Sequence, residues 1–359
     1  MSQNIRILGP IPPPYGGVSV YVDRIRKRLR NNGIRIWSYP YKSDQQANTT
    51  FFHHRRLGIV PLVFQDGYAT RVLDASHFHL EHPNFLLVPV WLLLIRFFRI
   101  EWIKMIFDGT LPSRYQQFNK TQRFLFRLAT HRVKEFVVVH EDLAHWLREE
   151  IKVAQPVTTI PCLIAPPPEM QTRPLSVQLK NALTQYFRAE KRICSIGAFV
   201  PTYGFKDVAQ AVDGLRTETG LELSLLLVAG GFAQNRRYRD EVLAGRDWIT
   251  VLEDLPNEDV FPILKGSDVF VRGNIEEGYG ISRVEAIWSG VPVVATNVGE
   301  TRGMLTYEFG DIQSLTAQLR RALFQEKPDD LRAASAMFHQ EAERNLADVQ
   351  RVLGLTYEH

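Results

Sequence analysis

Short apolar runs alternate with amphipathic stretches along most of the 359-residue chain. The first run, Asn4 to Gly9, reads as a strand that ends in a Pro/Gly-rich loop closing at Gly17. From Val18 to Asn31 the apolar positions Val18, Val22, Ile25 and Leu29 recur at helical spacing, while Arg24, Arg26, Lys27, Arg28 and Arg30 fall largely around the other side. That spacing predicts a helix ended by Gly33, and Ile34 to Trp37 restarts a strand. Strand, loop, helix and strand in this order form the unit of a parallel sheet covered by helices.

The alternation continues through strand candidates Ile103 to Phe107, Glu135 to Val139 and Val157 to Ile160, with a helix-like segment at Thr121 to Thr130. At Ile164-Ala-Pro-Pro-Pro168 it stops, and Pro-rich sequence runs on to Pro174, which predicts a domain boundary. The rhythm then resumes, with strands expected at Arg192 to Ile196, Leu223 to Val228, Ile249 to Leu252, Val269 to Val271 and Pro292 to Ala295. Leu331 to Leu353 reads as one or two helices. The expectation is an α/β protein with one domain over 1–165, a second over 166–335, and a C-terminal helix over 336–359 packing back toward the first.

Composition acts mainly by exclusion. With 45% hydrophobic and 23% charged residues the chain is neither disordered nor fibrous, and its length suffices for two cores. Cys162 and Cys194 stand far apart without paired histidines, so neither a disulfide framework nor a zinc site is expected. The start, Met-Ser-Gln-Asn-Ile-Arg, enters a strand without a long apolar run, so no cleaved leader is expected and a cytoplasmic setting is the natural reading. Phe85 to Ile95 is the most apolar stretch, but Arg96 and Arg99 end it well short of the roughly 20 residues that cross a bilayer.

Charge adds one feature. Residues 1–165 hold 22 Lys+Arg against 12 Asp+Glu, a balance of +10, whereas residues 166–359 hold 21 against 27, a balance of −6, which together give the net +4. A basic first half points to an anionic partner or surface. Trp91, Phe97, Phe98 and Trp102 interleave with Arg96, Arg99 and Lys104 over Phe85 to Phe107. Such a segment suits an anionic membrane surface at the inner face of the cell membrane, or else a core helix with a few solvated charges. No motif or aromatic platform for nucleic acid accompanies the charge, and none is expected to bind.

Three loops carry candidate chemistry, because ligands of open α/β sheets bind beyond the carboxyl ends of the strands. Gly16-Gly17 opens the first helix, where amides approach an anion or a turn requires positive φ. Gly197 to Asp207 follows a strand and opens a helix, with Lys206 as a point charge; its spacing matches neither a P-loop nor a dinucleotide fingerprint. The most informative loop runs from Gly273 to Gly299, through Glu277-Gly-Tyr-Gly-Ile281 to Glu285 on a helix and a buried strand, Val291 to Ala295. Amides at Tyr279, Gly280 and Ile281 suit a diphosphate, and Glu285 suits ribose hydroxyls.

Glu277 to Glu285 forms an E-x7-E motif, and its surroundings, EGYGISRVEAIWSGVPVVATNVG, resemble the retaining nucleotide-sugar glycosyltransferases of family 4. Phe309-Gly310-Asp311 is similar to the Pro-Gly-Asp turn of that family. The resemblance implies the GT-B fold, two Rossmann-like domains facing each other across a cleft, with the nucleotide-diphosphate sugar held mainly by the second domain and a glycan or lipid-linked acceptor by the first. It implies a metal-independent hexosyl transfer without a cofactor, a UDP-sugar as the most common donor, and a role in cell-surface polysaccharide or glycoconjugate synthesis. Glu277 would touch the donor sugar, Glu285 the ribose, and Gly278, Tyr279, Gly280 and Ile281 the diphosphate, with Gly17 and Gly197 beside them. Gly16, His77 and His79 would serve the acceptor; His82 reads as a solvated or structural histidine.

Two departures from the family pattern matter. The loop after Gly197 usually carries an arginine and a lysine near the diphosphate, where this chain has Ala198 and Tyr203. Lys206 and Arg272 are the cations near enough in sequence to replace them. In the first domain Asp108-Gly109 stands where the family often has histidine and glycine, so Asp108 is either a catalytic carboxylate or a turn residue. The missing cations also leave open a non-catalytic glycan-binding partner of another transferase, or an epimerase or hydrolase of the nucleotide sugar.

Overall fold

The computed structural model describes residues 4–12, 15–29, 32, 34–38, 49–51, 69–77, 80–81, 87–230, 235–325 and 329–355. It divides into two compact units, one comprising residues 1–13, 17–164 and 343–359, the other residues 14–16 and 165–342.

The first unit is built on β1 (Ile5–Leu8), β2 (Arg35–Ser38), β3 (Thr49–Phe51), β4 (Arg71–Asp74), β5 (Glu101–Ile106), β6 (Glu135–Val138) and β7 (Val157–Thr159). All pair in parallel in the order β3-β2-β1-β4-β5-β6-β7. Three helices matter below: α1 (Gly17–Arg28), α2 (Leu87–Phe98) and α3 (Lys120–Thr130).

The second unit contains β8 (Lys191–Gly197), β9 (Leu223–Ala229), β10 (Ile249–Glu253), β11 (Val269–Arg272), β12 (Val293–Thr296) and β13 (Leu305–Tyr307). They too are parallel, in the order β10-β9-β8-β11-β12-β13. Its helices include α4 (Phe205–Thr219), α5 (Ile281–Trp288) and the long α6 (Asp329–Leu353), which begins in this unit and ends in the first. The expected strands are present with edges shifted by a residue or two, and the C-terminal segment is a single helix. From Glu343 onward α6 belongs to the first unit: Arg28 pairs with Glu343 at 2.9 Å and the Asn345 amide donates to the Leu163 carbonyl at 3.0 Å.

Strands buried on both faces need continuous apolar sequence, and β9, Leu-Ser-Leu-Leu-Leu-Val-Ala, is buried throughout. Phe199, Phe205, Val208, Val212 and Leu215 close over it from the β8 loop and α4. In both sheets the chain reverses direction of winding between the first strand and the fourth, β1 beside β4 and β8 beside β11. The loops leaving such a pair diverge to opposite sides and open a crevice beyond the strand ends.

The basic-aromatic segment Phe85 to Phe107 is not one helix. It splits into α2 and β5, and Trp102 and Lys104 sit fully buried in the strand. The Trp102 indole donates to Asp74 at 3.1 Å, and Lys104 Nζ lies 3.7 Å from the same carboxylate and donates to the Ser76 carbonyl. Burial lowers the lysine pKa and Asp74 works against that shift. These two residues therefore belong to the sheet core, and the surface reading is confined to α2. No helix among the described residues is long and apolar enough to cross a membrane.

Candidate functional site

At the β8/β11 switch point two loops are knitted into one structure. Gly204 ends the β8 loop with φ +67°, and a Cβ there would stand 2.2 Å from the Gly273 carbonyl oxygen, so only glycine permits the loops to touch. Across that contact the Ile275 amide donates to the Thr202 carbonyl at 3.0 Å. The end of β12 joins them, since the Thr296 hydroxyl donates to the Asn274 carbonyl at 2.7 Å.

Glu277 stands in a web of donors. One of its oxygens, Oε2, accepts from Arg272 Nε at 3.1 Å, Arg272 Nη2 at 3.0 Å and Asn274 Nδ2 at 2.7 Å. Burial alone would raise the carboxyl pKa, but the guanidinium groups of Arg272 and Arg283, with Asn274, outweigh it and hold the group below its usual value. Glu277 is therefore an ionised acceptor with one oxygen saturated, the condition suited to gripping sugar hydroxyls with the other.

Arg272 lies 4.9 Å above the Tyr203 ring and also donates to the Ile196 carbonyl. Its charge is engaged by Glu277. Lys206 Nζ pairs with Glu241 at 3.0 Å and is 43% exposed, so the structure ties it to a surface carboxylate instead of the loop contact. Ala198 is buried, and Gly197 is required because a Cβ there would meet the Tyr203 ring at 2.6 Å.

Gly280 turns the chain into α5 with φ +82°. The opening N–H groups of a helix have no intrahelical acceptor and carry the positive end of its dipole, an arrangement that favours an anion. Gly278 precedes this turn, and the Tyr279 side chain is buried, its hydroxyl donating to Glu341 at 2.8 Å. Glu285 is buried on α5, as expected for a residue facing inward at the second turn. Behind the turn sits Arg283, a residue that spacing did not single out. It is fully buried, donates to the carbonyls of Thr296 and Val298, and reaches Asn274 Oδ1 at 3.2 Å and Thr296 Oγ1 at 3.3 Å. The available signal was an arginine between the apolar positions Ile281 and Val284 of a helix that also carries Glu285.

Gly310 has φ +84°, and Asp311 then caps the helix Ile312–Phe324 by accepting from the Ser314 amide at 2.9 Å. The Phe-Gly-Asp turn is a helix start beyond β13.

In the first unit Gly17 is the opening residue of α1, whereas Gly16 falls in the second unit and needs no left-handed backbone. Asp108 is held as a turn residue: Oδ1 accepts from the Thr110 amide at 2.8 Å and hydroxyl at 2.6 Å, and Oδ2 pairs with Arg114. Every oxygen of that carboxylate is committed to local structure. His77 is partly exposed, with Nδ1 against the buried carboxylate of Glu81, while Arg114 donates to the Glu81 carbonyl at 3.2 Å. His79 and His82 lie outside the described residues.

Part of the second unit is similar to a known family. Residues 190–325, which span β8 to the helix ending at Phe324, match the family "Glycosyl transferases group 1". Over this segment the chain is similar to that family. The chain is 29% identical over 177 residues to the MMP alpha-(1->4)-mannosyltransferase of Mycolicibacterium hassiacum, covering 46% of this chain and 42% of that protein. It is 26% identical over 245 residues to the 2-deoxystreptamine glucosyltransferase of Streptomyces kanamyceticus, covering 64% and 63% respectively. The matches thus span about half the length of these relatives. Among solved structures, Anabaena HepE in complex with UDP-glucose superposes with a TM-score of 0.74 at 14% identity, over 98% of this chain and 99% of that one. The fold is GT-B, two Rossmann-like units in one chain.

Proposed function

We propose that the protein is a retaining glycosyltransferase of family 4 that moves a hexose from a nucleotide-diphosphate sugar to a glycan or lipid-linked saccharide. The observation that carries this reading is the ionised Glu277, held by Arg272 and Asn274 beside the Gly280 turn within the segment similar to the group 1 family. The donor sugar meets Glu277, the ribose meets Glu285, and the diphosphate meets the amides after Gly278. As the bond from the anomeric carbon to the diphosphate breaks, its electron pair leaves with the diphosphate. The turn and its fixed positive charge stabilise that anion without a metal. The acceptor hydroxyl bonds the same carbon on the same face, and its proton passes to the departing diphosphate oxygen. UDP is the expected nucleotide, supported by the UDP-glucose complex of a protein with this fold. The acceptor falls to the first unit, where the imidazole of His77 is fixed by Glu81.

An exposed apolar surface in the first unit supports work at the inner face of the cell membrane. Leu93 and Phe97 on α2 are 66% and 80% exposed, Phe124 on α3 is 64% exposed, and Leu128 follows one turn later. Arg96, Arg99, Lys120, Arg123 and Arg127 lie on or directly beside the same two helices, all exposed. Exposed apolar side chains interspersed with cations suit an anionic lipid surface. Sedimentation with vesicles of anionic and zwitterionic lipid tests it. The protein is expected on the anionic vesicles, and the triple variant L93S/F97S/F124S is expected to bind at least 5-fold less; equal binding of variant and parent would remove the surface from the account.

Turnover is tested by incubating the protein with UDP-, GDP- and ADP-hexoses and following nucleoside diphosphate release with and without a glycan acceptor. Transfer predicts release that depends on acceptor. Release or sugar conversion without acceptor would favour the hydrolase or epimerase, and no release with tight nucleotide binding would favour the non-catalytic partner that the absence of cations at 198 and 203 keeps in view.

A further inference from the structure

The diphosphate site of the proposed reaction lacks the two cations expected at Ala198 and Tyr203, and neither cation nearby in sequence is at liberty to replace them. Lys206 is tied to Glu241 and Arg272 to Glu277. Arg283 differs from both. Its side chain is fully buried, and the acceptors of its Nη1 and Nη2 are all neutral: two carbonyls, an amide oxygen and a hydroxyl. Its Nε–H has no acceptor among the described residues and lies 3.2 Å from where a Cβ on Gly280 would stand. A buried guanidinium with an unanswered donor thus backs directly onto the turn that opens α5.

We infer that Arg283 is the positioning charge of the anion site, acting from behind the Gly280 turn on a nucleoside diphosphate bound in front of it. A buried charge costs free energy that neutral partners offset only in part, so an arginine placed here needs a compensating anion. Glu277 supplies some compensation but already holds Arg272, and Glu300, the other carboxylate that acts on Arg283, is paired with Arg302. The polyanion of a donor supplies the rest. Because Arg283 is fully buried, its field reaches the diphosphate with less screening than that of a surface cation. The α5 N-terminus adds its dipole to the same point. The sequence thereby moves the charge from the front of the site, where the family pattern has it on the β8 loop, to its floor.

This inference rests on the proposed donor site, and the experiment separates the two. Nucleoside di- and monophosphates (UDP and UMP, GDP and GMP, ADP and AMP) are titrated calorimetrically into the parent protein, R283K, R283Q and K206M, with folding checked by circular dichroism. R283Q is expected to lose at least 10-fold in affinity for the diphosphate and at most 3-fold for the monophosphate. R283K should retain most of the preference, and Y203K in the R283Q background, which restores a cation in front, should recover part of it. K206M should bind as the parent does. If the parent binds no nucleotide, the donor site itself fails and this inference with it. A parent that binds, together with a folded R283Q that keeps its diphosphate preference, overturns the role of Arg283 alone. If R283Q does not fold, a 10-fold loss in K206M overturns it by placing the charge on Lys206, and parental binding by K206M with the diphosphate preference retained in R283K supports it.

Discussion

Replacing Glu277 by glutamine is expected to lower kcat for sugar transfer by at least ~100-fold, about 2.7 kcal/mol of transition-state stabilisation. Glutamine keeps the size of the side chain but removes the negative charge that three donors grip through Oε2. The oxygen offered to the sugar then becomes a neutral amide group, and the precise hold on the donor hydroxyls is lost. Nucleotide affinity should move the other way or stay constant. With the carboxylate gone, the charges of Arg272 and Arg283 are opposed by less negative charge, and the diphosphate feels a more positive site. A drop in kcat with unchanged or tighter nucleoside diphosphate binding, read from initial rates and calorimetry on one preparation, is the expected pattern. Near-parental kcat in E277Q would remove Glu277 from the reaction.

Gly204→Ala is expected to damage both stability and binding. An alanine must adopt φ +67°, at a cost of about 1–2 kcal/mol, and its methyl carbon must also displace the Gly273 carbonyl from 2.2 Å. Together these amount to about 3 kcal/mol, which lowers the melting temperature of the second unit by about 6–12 °C. Because Gly273 begins the loop that carries Glu277, nucleotide affinity should fall at least 10-fold even where the protein remains folded. Gly214→Ala is the matched comparison. Gly214 lies inside α4 with no heavy atom within 4 Å of its Cβ position, so alanine there should stabilise by about 0.5–1 kcal/mol through helix propensity. Differential scanning calorimetry of the two variants reads both signs. Equal melting points would show that the Gly204–Gly273 contact does not set the loop geometry.

The parts of the fold that were legible are those whose burial is complete and local. β9 and β12 are buried from end to end and apolar but for Ser224 and Thr296, and the helices α1 and α3 carry their apolar positions at regular spacing. β4 was not legible, although it occupies the centre of its sheet. Its sequence, Arg-Val-Leu-Asp, has two apolar residues between charges, and Asp74 tolerates burial only because Trp102, Ser76 and Lys104 arrive from elsewhere in the chain to meet it. The same pairing hid Lys104, which reads as a surface cation beside aromatics until β5 takes it into the core. β3 and β13, three residues each, are too short for any period to register.

The candidate site divides in the same way. Glu277, Gly278, Gly280 and Glu285 follow from a contiguous motif that runs from the end of β11 into α5. What the motif leaves out is the charge arrangement around it. Arg272 and Asn274 grip Glu277 from the strand end, and Arg283 finds its acceptors on the end of β12, more than ten residues later in the chain. Asp108 illustrates the converse. Its position before Gly109 allowed a catalytic carboxylate or a turn, and the hydrogen bonds to Thr110 with the ion pair to Arg114 support the turn.

The central claim is a nucleotide-sugar donor site between the β8 and β11 loops, with Glu285 receiving the ribose. Calorimetric titration of UDP, GDP and ADP into the parent protein and Glu285→Ala tests it most directly. The account predicts tight binding of one nucleotide, with UDP expected, weakened in the variant by at least ~1.4 kcal/mol, a factor of about 10, the worth of a lost charge-assisted hydrogen bond. Binding of none of the three by a folded parent protein, or equal binding by parent and variant, would contradict it.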